Sequence, residues 1–218
     1  MRSVTRVMLV DDHSLVRAGL RRLLGDAADI RVVAEAESGE AALNAAREHQ
    51  LDVVLMDIQM PGIGGIEATV RLLHAHPALK VLAVSMFSAE PFPSRMLAAG
   101  ATGYVTKDCR AEELLAAVRE VARGGHYVAA KIASNLAVSL VNGEGRGSPF
   151  DQLSPRELQV MLMVTRGLSI QTISNSLHLS PKTVGTYRYR LFEKLGVDND
   201  VGLTRLAMRH GLLSPEDG

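Results

Sequence analysis

The first half of the chain alternates short apolar runs with stretches of helical periodicity. Five apolar runs predict strands at residues 7–10, 31–36, 53–56, 81–84 and 104–105. Apolar residues spaced three to four positions apart predict helices at residues 14–24, 39–49, 64–74, 94–99 and 111–123. A strand that is apolar throughout is typical of a parallel sheet covered on both faces. The pattern therefore predicts a doubly wound α/β domain with a five-stranded parallel sheet.

The second half of the chain is helical, and a tether separates it from the first half. Residues 129–140 predict a connecting helix, and residues 142–149 have the Gly/Ser composition of a flexible linker. Four further helices are predicted at residues 154–166, 169–177, 181–195 and 200–210, and Asp200 is expected to be the N-cap of the last one. Their spacing fits a helix-turn-helix. We therefore expect an α/β domain over residues 1–124, a connector over 125–149, and a small all-α domain over 150–218.

Polar residues stand where the predicted strands end. Asp11 and Asp12 follow the first strand, Asp57 the third, Ser85 the fourth and Lys107 the fifth. In an open parallel sheet these side chains converge beyond the carboxyl ends of the strands. Three carboxylates repel one another unless a cation lies among them, and hard oxygen ligands suit Mg²⁺. A carboxylate beside a lysine and a metal indicates phosphoryl chemistry with Asp57 as the nucleophile.

This constellation resembles the receiver domain of two-component response regulators over about residues 4–124. Met60-Pro61-Gly62 followed by Gly65 matches the loop after the phosphate acceptor. The resemblance implies that Asp57 is the phosphoacceptor, that Asp11, Asp12 and Asp57 hold Mg²⁺, that Ser85 and Tyr104 form the switch, and that Lys107 contacts the phosphoryl group. The alternative is that these acids are solvated loop residues.

The predicted helix from Pro181 carries a positive charge that the balance of the whole chain hides. The formal net charge is zero, yet residues 180–196 contain four basic residues and one acid. Such a local excess favours nucleic-acid binding. Val184 and Leu191 fall on an apolar face of this helix, opposite a polar face. We expect the DNA contacts to come from Lys182, Thr183, Gly185, Thr186, Arg188, Tyr189, Arg190 and Lys194.

Residues 150–213 resemble the LuxR-type DNA-binding domain, through Leu153-Ser154-Pro155-Arg156-Glu157, Leu179-Ser180-Pro181-Lys182-Thr183-Val184 and Leu195-Gly196-Val197. A receiver followed by this domain resembles the NarL/FixJ-type response regulators, and residues 90–95 and 180–195 are similar to their GacA/UvrY branch. The resemblance implies a transcriptional regulator that takes phosphate from a hybrid membrane-bound sensor histidine kinase. Gly185 departs from the asparagine usual in that branch, which puts promoter specificity in doubt.

We expect the active form to be a homodimer on double-stranded promoter DNA, because two half-sites suit a two-fold dimer. Two other classes of protein remain open. A phosphohydrolase would also form an aspartyl-phosphate, but it carries a second acid two residues after the nucleophile, where this chain has Gln59. Glutamine performs no acid–base catalysis, so we expect no enzyme. The third class is a receiver whose helical domain binds protein or RNA.

The sequence lacks an apolar stretch long enough to span a membrane, and its N-terminus lacks a signal pattern. We therefore expect a cytoplasmic protein without membrane insertion. The chain has one cysteine, Cys109, which excludes an internal disulfide.

Overall fold

The computed structural model describes residues 4–141 and 148–213. Most of the predicted flexible linker, residues 142–147, lies outside the described residues. Contacts between residues divide the chain into two compact units. The chain up to Ser134 forms most of the first unit, and the chain from Asn135 onward forms most of the second.

The first unit is built on a parallel sheet. Its strands are β1 Thr5–Val10, β2 Ile30–Ala36, β3 Val53–Met56, β4 Lys80–Ser85, β5 Gly103–Thr106 and β6 Tyr127–Val128. Their order is β2-β1-β3-β4-β5-β6, and every neighbouring pair is parallel. β1, β3 and β4 lie inside the sheet and are almost wholly buried. The doubly wound α/β fold is confirmed, but the expected count of five strands is wrong, because β6 adds a sixth.

Five helices connect the strands and cover the sheet. They are α1 Ser14–Gly25, α2 Gly39–Glu48, α3 Gly64–Ala75, α4 Phe92–Ala98 and α5 Ala111–Ala122. α5, for example, buries Leu114, Val118 and Val121 at helical spacing. α4 is the shortest, with seven residues, and Pro93 stands in its first turn, where proline is tolerated because the first N–H groups of a helix have no intrahelical partner.

The second unit is helical. α6 Ala130–Val141 crosses the boundary between the units, and a short 3₁₀ helix at Pro149–Gln152 follows. The remaining helices are α7 Pro155–Thr165, α8 Ile170–Leu177, α9 Pro181–Leu195 and α10 Asp200–Arg209. Leu158, Ile173, Val184, Leu191 and Leu203 are fully buried and form the core of this unit. None of the helices in the described ranges is long and apolar enough to cross a membrane.

The helix-turn-helix consists of α8, the turn at His178 and α9. Ser180 begins α9 by accepting a hydrogen bond from the N–H of Thr183, and Pro181 takes the first helical position. His178 ends α8 in the left-handed region, at φ 52°. The chain therefore changes direction at His178 and Leu179, directly before Ser180 begins α9.

Candidate functional site

Two acids and a lysine meet at the carboxyl ends of three strands. Asp11 follows β1 and Asp57 follows β3, and the N–H of Asp57 donates to the carbonyl of Val10 across the sheet (2.8 Å). Both acids are buried, with 2% and 4% of their surface exposed. The ammonium of Lys107, just after β5, lies 2.6 Å from Asp11 Oδ2 and 2.9 Å from Asp57 Oδ2. The structure thus brings together three of the four charges that the strand pattern predicts at this edge.

Burial sets the electrostatics of this site. Burial raises the pKa of Asp57 to about 6, although Lys107 opposes the shift; the charge of Asp11 raises the pKa a little further. Burial alone would lower the pKa of Lys107, but Asp57 and Asp11 outweigh it, and the pKa is raised. At neutral pH Lys107 is therefore a cation, and most of Asp57 is the carboxylate that a nucleophile requires.

Four side chains form a cluster that could hold a divalent cation. Asp11, Asp12, His13 and Asp57 each offer one ligand atom, and these atoms all lie within 4.8 Å of one another. Asp12 Oδ1 is buried and makes no hydrogen bond, although His13 Nδ1 lies 2.9 Å away. A buried carboxylate oxygen without a donor fits a hard cation. His13 was missed in the sequence; its position directly after the acid pair is the signal that could have found it.

Glycines allow the loop after Asp57 to fold back against the end of β3. The N–H of Gly65 donates to the carbonyl of Ile58 (2.9 Å), and a Cβ at Gly65 would collide with the carbonyl oxygen of Asp57. Gly62 has φ +71°, in the left-handed region that favours glycine. Oε1 of Glu40 accepts from the N–H of Ile63 (3.0 Å) and holds the loop from the other side. Steric constraints therefore explain why glycine stands at positions 62 and 65 of this loop.

The two predicted switch residues bind the same loop residue. Ser85 Oγ accepts a hydrogen bond from the N–H of Phe87 (3.1 Å), and the hydroxyl of Tyr104 donates to the carbonyl of Phe87 (2.7 Å). Ser85 and Tyr104 are both fully buried. The Phe87 ring stacks on Phe92 at the start of α4, with centroids 4.2 Å apart. Phe87 thus connects both residues to α4, a role without a sequence signal because it depends on backbone contacts.

α9 has one buried and one exposed face. Val184 and Leu191 are fully buried, whereas the exposed residues include Lys182, Thr186, Tyr189 and Arg190. Tyr189 is 62% exposed. A Cβ at Gly185 would meet nothing within 4 Å, so this position lies in open space. Thr183 lies half-buried at the start of the helix, where its N–H donates to Ser180 Oγ.

Two of the basic residues among the predicted DNA contacts are already paired with acids within the second unit. The guanidinium of Arg188 binds both carboxylate oxygens of Asp200, with Nε 2.7 Å from Oδ1, and lies over the Phe192 ring. The ammonium of Lys194 lies 2.7 Å from Oε2 of Glu157. These pairs attach α9 to α10 and α7. Contacts from Arg188 and Lys194 to DNA stay a prediction.

The chain matches two protein families in succession. Residues 7–119 match the response regulator receiver domain, and residues 151–207 match the bacterial regulatory proteins of the luxR family. The first match contains the acid–lysine cluster, and the second contains α9.

Similar proteins have the same two-part organisation along their whole length. The response regulator GacA of Pseudomonas viridiflava is 51% identical over 95% of this chain and 97% of its own. The response regulator UvrY of Escherichia coli K12 is 48% identical over 96% of each chain. Among solved structures, RcsB of Salmonella enterica serovar Typhimurium, bound to a promoter with a phosphomimetic, is 25% identical with a TM-score of 0.68, over 94% of this chain and 98% of its own. The chain therefore belongs to the NarL/FixJ family of response regulators, which are phosphorylation-controlled, DNA-binding transcriptional regulators and not enzymes.

Proposed function

We propose that this response regulator accepts a phosphoryl group on Asp57 and then binds promoter DNA through α9. The observation that carries the proposal is the position of Lys107, whose ammonium lies within 3 Å of both Asp57 and Asp11. A buried nucleophile, a second acid and a cation in contact are the groups that aspartyl phosphorylation requires.

The chemistry at Asp57 is a phosphoryl transfer. An oxygen of the Asp57 carboxylate attacks phosphorus, and the bond from phosphorus to the donor breaks as the new bond forms. Asp11, Asp12 and Asp57 would hold Mg²⁺, which offsets the negative charge of the acids and of the incoming group. Lys107 is placed to donate to a phosphoryl oxygen once Asp57 is modified. Gln59 supplies no acid–base catalysis for the reverse hydrolysis, so the phosphorylated state should persist long enough to act as a signal.

Ser85 and Tyr104 are the residues through which the phosphoryl group would alter the fold. A phosphoryl group adds about −1.5 to −2 charges and new acceptor oxygens. The hydroxyl of Ser85 would then donate to the phosphoryl oxygens and release the N–H of Phe87. Because Tyr104 binds the carbonyl of Phe87, a shift of Phe87 would alter the hydrogen bonds of both Ser85 and Tyr104.

The DNA-binding surface comprises the exposed side chains of α9. Lys182 and Arg190 supply charge for the phosphate backbone, while Thr186 and Tyr189 face outward where base edges would lie. A recognition helix that enters the major groove on a two-fold dimer suits promoter half-sites one helical turn apart. The receiver, connector and DNA-binding segments at residues 1–124, 125–149 and 150–218 belong to the same proposal, and the two family matches support it.

The kinase partner follows from the branch that the sequence resembles. A receiver implies a sensor histidine kinase, and the resemblance to the GacA/UvrY branch favours a membrane-bound hybrid kinase. A cytoplasmic location belongs to this proposal, since promoter DNA and the kinase's phosphoryl donor are both reached there.

The test compares phosphorylation and DNA binding in the full-length protein. Acetyl phosphate with MgCl₂ should label wild type, and neither the Asp57→Asn variant nor a sample treated with EDTA should take up label. Lys182→Gln is the matched control: it should accept label as wild type does and lose affinity for DNA. Equal labelling of wild type and Asp57→Asn would show that the phosphoacceptor is another residue.

A further inference from the structure

Arg17 on α1 reaches back to the peptide that joins two of the proposed metal ligands. Its Nη1 donates a hydrogen bond to the carbonyl oxygen of Asp11 at 2.6 Å. That carbonyl belongs to the Asp11–Asp12 peptide. The Arg17 side chain is 15% exposed, so the charge is largely removed from water at the base of the acidic cluster. A guanidinium beside the proposed metal site does not itself bind the metal, because its positive charge repels a cation.

The surrounding hydrogen bonds show what Arg17 controls. The N–H of Asp11 donates to the carbonyl of Ala36 in β2 (3.1 Å), so the peptide before Asp11 is fixed by the sheet. The carboxylate of Asp11 is held by the N–H of His13 (2.8 Å) and by Lys107. Asp12 Oδ1, in contrast, makes no hydrogen bond, and the His13 Nδ1 that lies 2.9 Å from it belongs to a side chain that is 66% exposed. The direction of the Asp12 side chain therefore depends mainly on the plane of the peptide that Arg17 holds.

A second contact keeps Arg17 in place without consuming its hydrogen bond to Asp11. Glu35 Oε2 lies 3.5 Å from Arg17 Nε, and Glu35 stands opposite Leu9 where β2 pairs with β1. Glu35 also pairs with Arg21, whose side chain is 65% exposed. Removing Arg17 would therefore leave Glu35 with another cation. What would be lost is the donor to the Asp11 carbonyl.

We infer that Arg17 is a positioning residue that orients Asp12 relative to Asp11 for a divalent cation. The inference rests on the metal site of the proposed function. Residues that orient metal ligands typically change metal affinity about 10- to 100-fold when they are replaced. Charge alone has the opposite effect: a neutral residue at position 17 would repel the metal less and tighten binding. The sign of the change therefore separates positioning from simple electrostatics.

The experiment measures Mn²⁺ affinity in the full-length protein, from the electron paramagnetic resonance signal of free Mn²⁺. Arg17→Gln should raise the Kd roughly tenfold, and Arg17→Lys should fall between this variant and wild type, because an ammonium restores one donor. Arg21→Gln is the matched control: it removes a cation from the same helix and the same carboxylate without touching Asp11, and it should bind Mn²⁺ as wild type does. Thermal unfolding without metal, measured on each variant, shows that it is folded.

Two results would overturn the inference while leaving the metal site intact. One is a Kd for Arg17→Gln equal to or below that of wild type. The other, decisive if Arg17→Gln does not fold, is wild-type affinity in Arg17→Lys. Asp12→Asn serves to separate the two levels of the argument. If Asp12→Asn binds Mn²⁺ as tightly as wild type, the proposed metal site itself is wrong and the inference falls with it.

Discussion

The burial of Asp57 lowers the stability of the folded protein but suits the proposed chemistry of this carboxylate. A carboxylate that is 4% exposed has lost most of its hydration, and the cations and donors around it only partly compensate, because its pKa is still raised to about 6. The same burial protects an aspartyl-phosphate from solvent. The metal-free protein therefore carries a charge that its fold does not fully stabilise.

Replacing this charge should stabilise the metal-free protein in a pH-dependent way. An acid with a raised pKa in the folded state costs stability at high pH, and the cost disappears as pH falls through the folded pKa towards the unfolded value. From 3.8 to about 6, the cost is at most roughly 3 kcal/mol. In EDTA, calorimetry should show Asp57→Asn unfolding at a higher temperature than wild type at pH 8, with roughly half of that gain near pH 5, between the two pKa values. The same gain at both pH values would contradict the burial argument.

Arg188 and Lys182 are both basic residues of α9, but the structure gives them different tasks. Arg188→Gln removes the pair with Asp200, which is half-exposed and worth about 1 kcal/mol or less. It should lower the thermal stability of the DNA-binding domain, and it should leave the salt dependence of DNA affinity unchanged if the pair with Asp200 persists on DNA. Lys182→Gln should instead leave the thermal stability unchanged and reduce the slope of log K against log salt by about 0.9. A reduced slope in Arg188→Gln would show that Arg188 leaves Asp200 to contact DNA.

The sequence predicted the charges of α9 but not their partners. Arg188 meets Asp200 twelve positions away, and Lys194 meets Glu157 thirty-seven positions away. Helical spacing assigns a side chain to a face, yet a long side chain at the margin of that face turns towards whichever acid the tertiary fold brings near. Asp11, Asp57 and Lys107 do meet at one edge of the sheet, as the pattern indicates, because parallel strands fix the direction in which each strand-end residue points.

At the scale of elements, the pattern located every α-helix and every long strand among the described residues, but it missed the short 3₁₀ helix and the strand that is defined by pairing alone. β6 has two residues, too few for any periodicity, and it exists because Tyr127 and Val128 pair with β5. The start of α10 was misplaced by one residue. Asn199 caps it by accepting from the N–H of Gly202, whereas Asp200 was expected to do so. Both residue types cap helices well, so only the backbone distinguishes them.

Gly185 tests whether the middle of α9 reads bases. A side chain at this position would meet no other atom within 4 Å, so Gly185→Ala should stabilise the helix by up to about 1 kcal/mol. Gly185→Asn should stabilise it less, change the ranking of a panel of operator sequences, and leave affinity for random DNA unaltered. Gly185→Ala is the control for helix stability. If Asn and Ala give the same operator ranking as glycine, position 185 does not face base edges.

At the scale of the whole molecule, the two domains must be coupled for phosphorylation to control DNA binding. Ser85→Ala removes the acceptor for the N–H of Phe87 without touching Asp57, Lys107 or the acid pair. Labelling by acetyl phosphate should remain largely intact, while the gain in DNA affinity on phosphorylation should shrink. A change from 1:99 to 99:1 between two states requires about 5.5 kcal/mol, so losing one hydrogen bond of roughly 1 kcal/mol should reduce the gain several-fold. Ser85 is not part of the switch if labelled Ser85→Ala binds DNA as labelled wild type does.

Activation should also produce a dimer, because one small helical domain offers few base contacts and a two-fold dimer doubles them. The candidate surfaces are the exposed face of α5 and that of α10, where Val201 is 60% and Met208 is 41% exposed.

Sedimentation velocity should detect a dimer with beryllium fluoride and Mg²⁺ and a monomer without them; Asp57→Asn should stay monomeric in both. Val201→Glu should weaken binding to a two-half-site operator by about tenfold, since burying one valine contributes roughly 1.5 kcal/mol. Its affinity for a single half-site should match wild type. A wild-type protein that stays monomeric in both states, even on the two-half-site operator, would contradict dimerisation, and unchanged operator binding in Val201→Glu would move the interface away from α10.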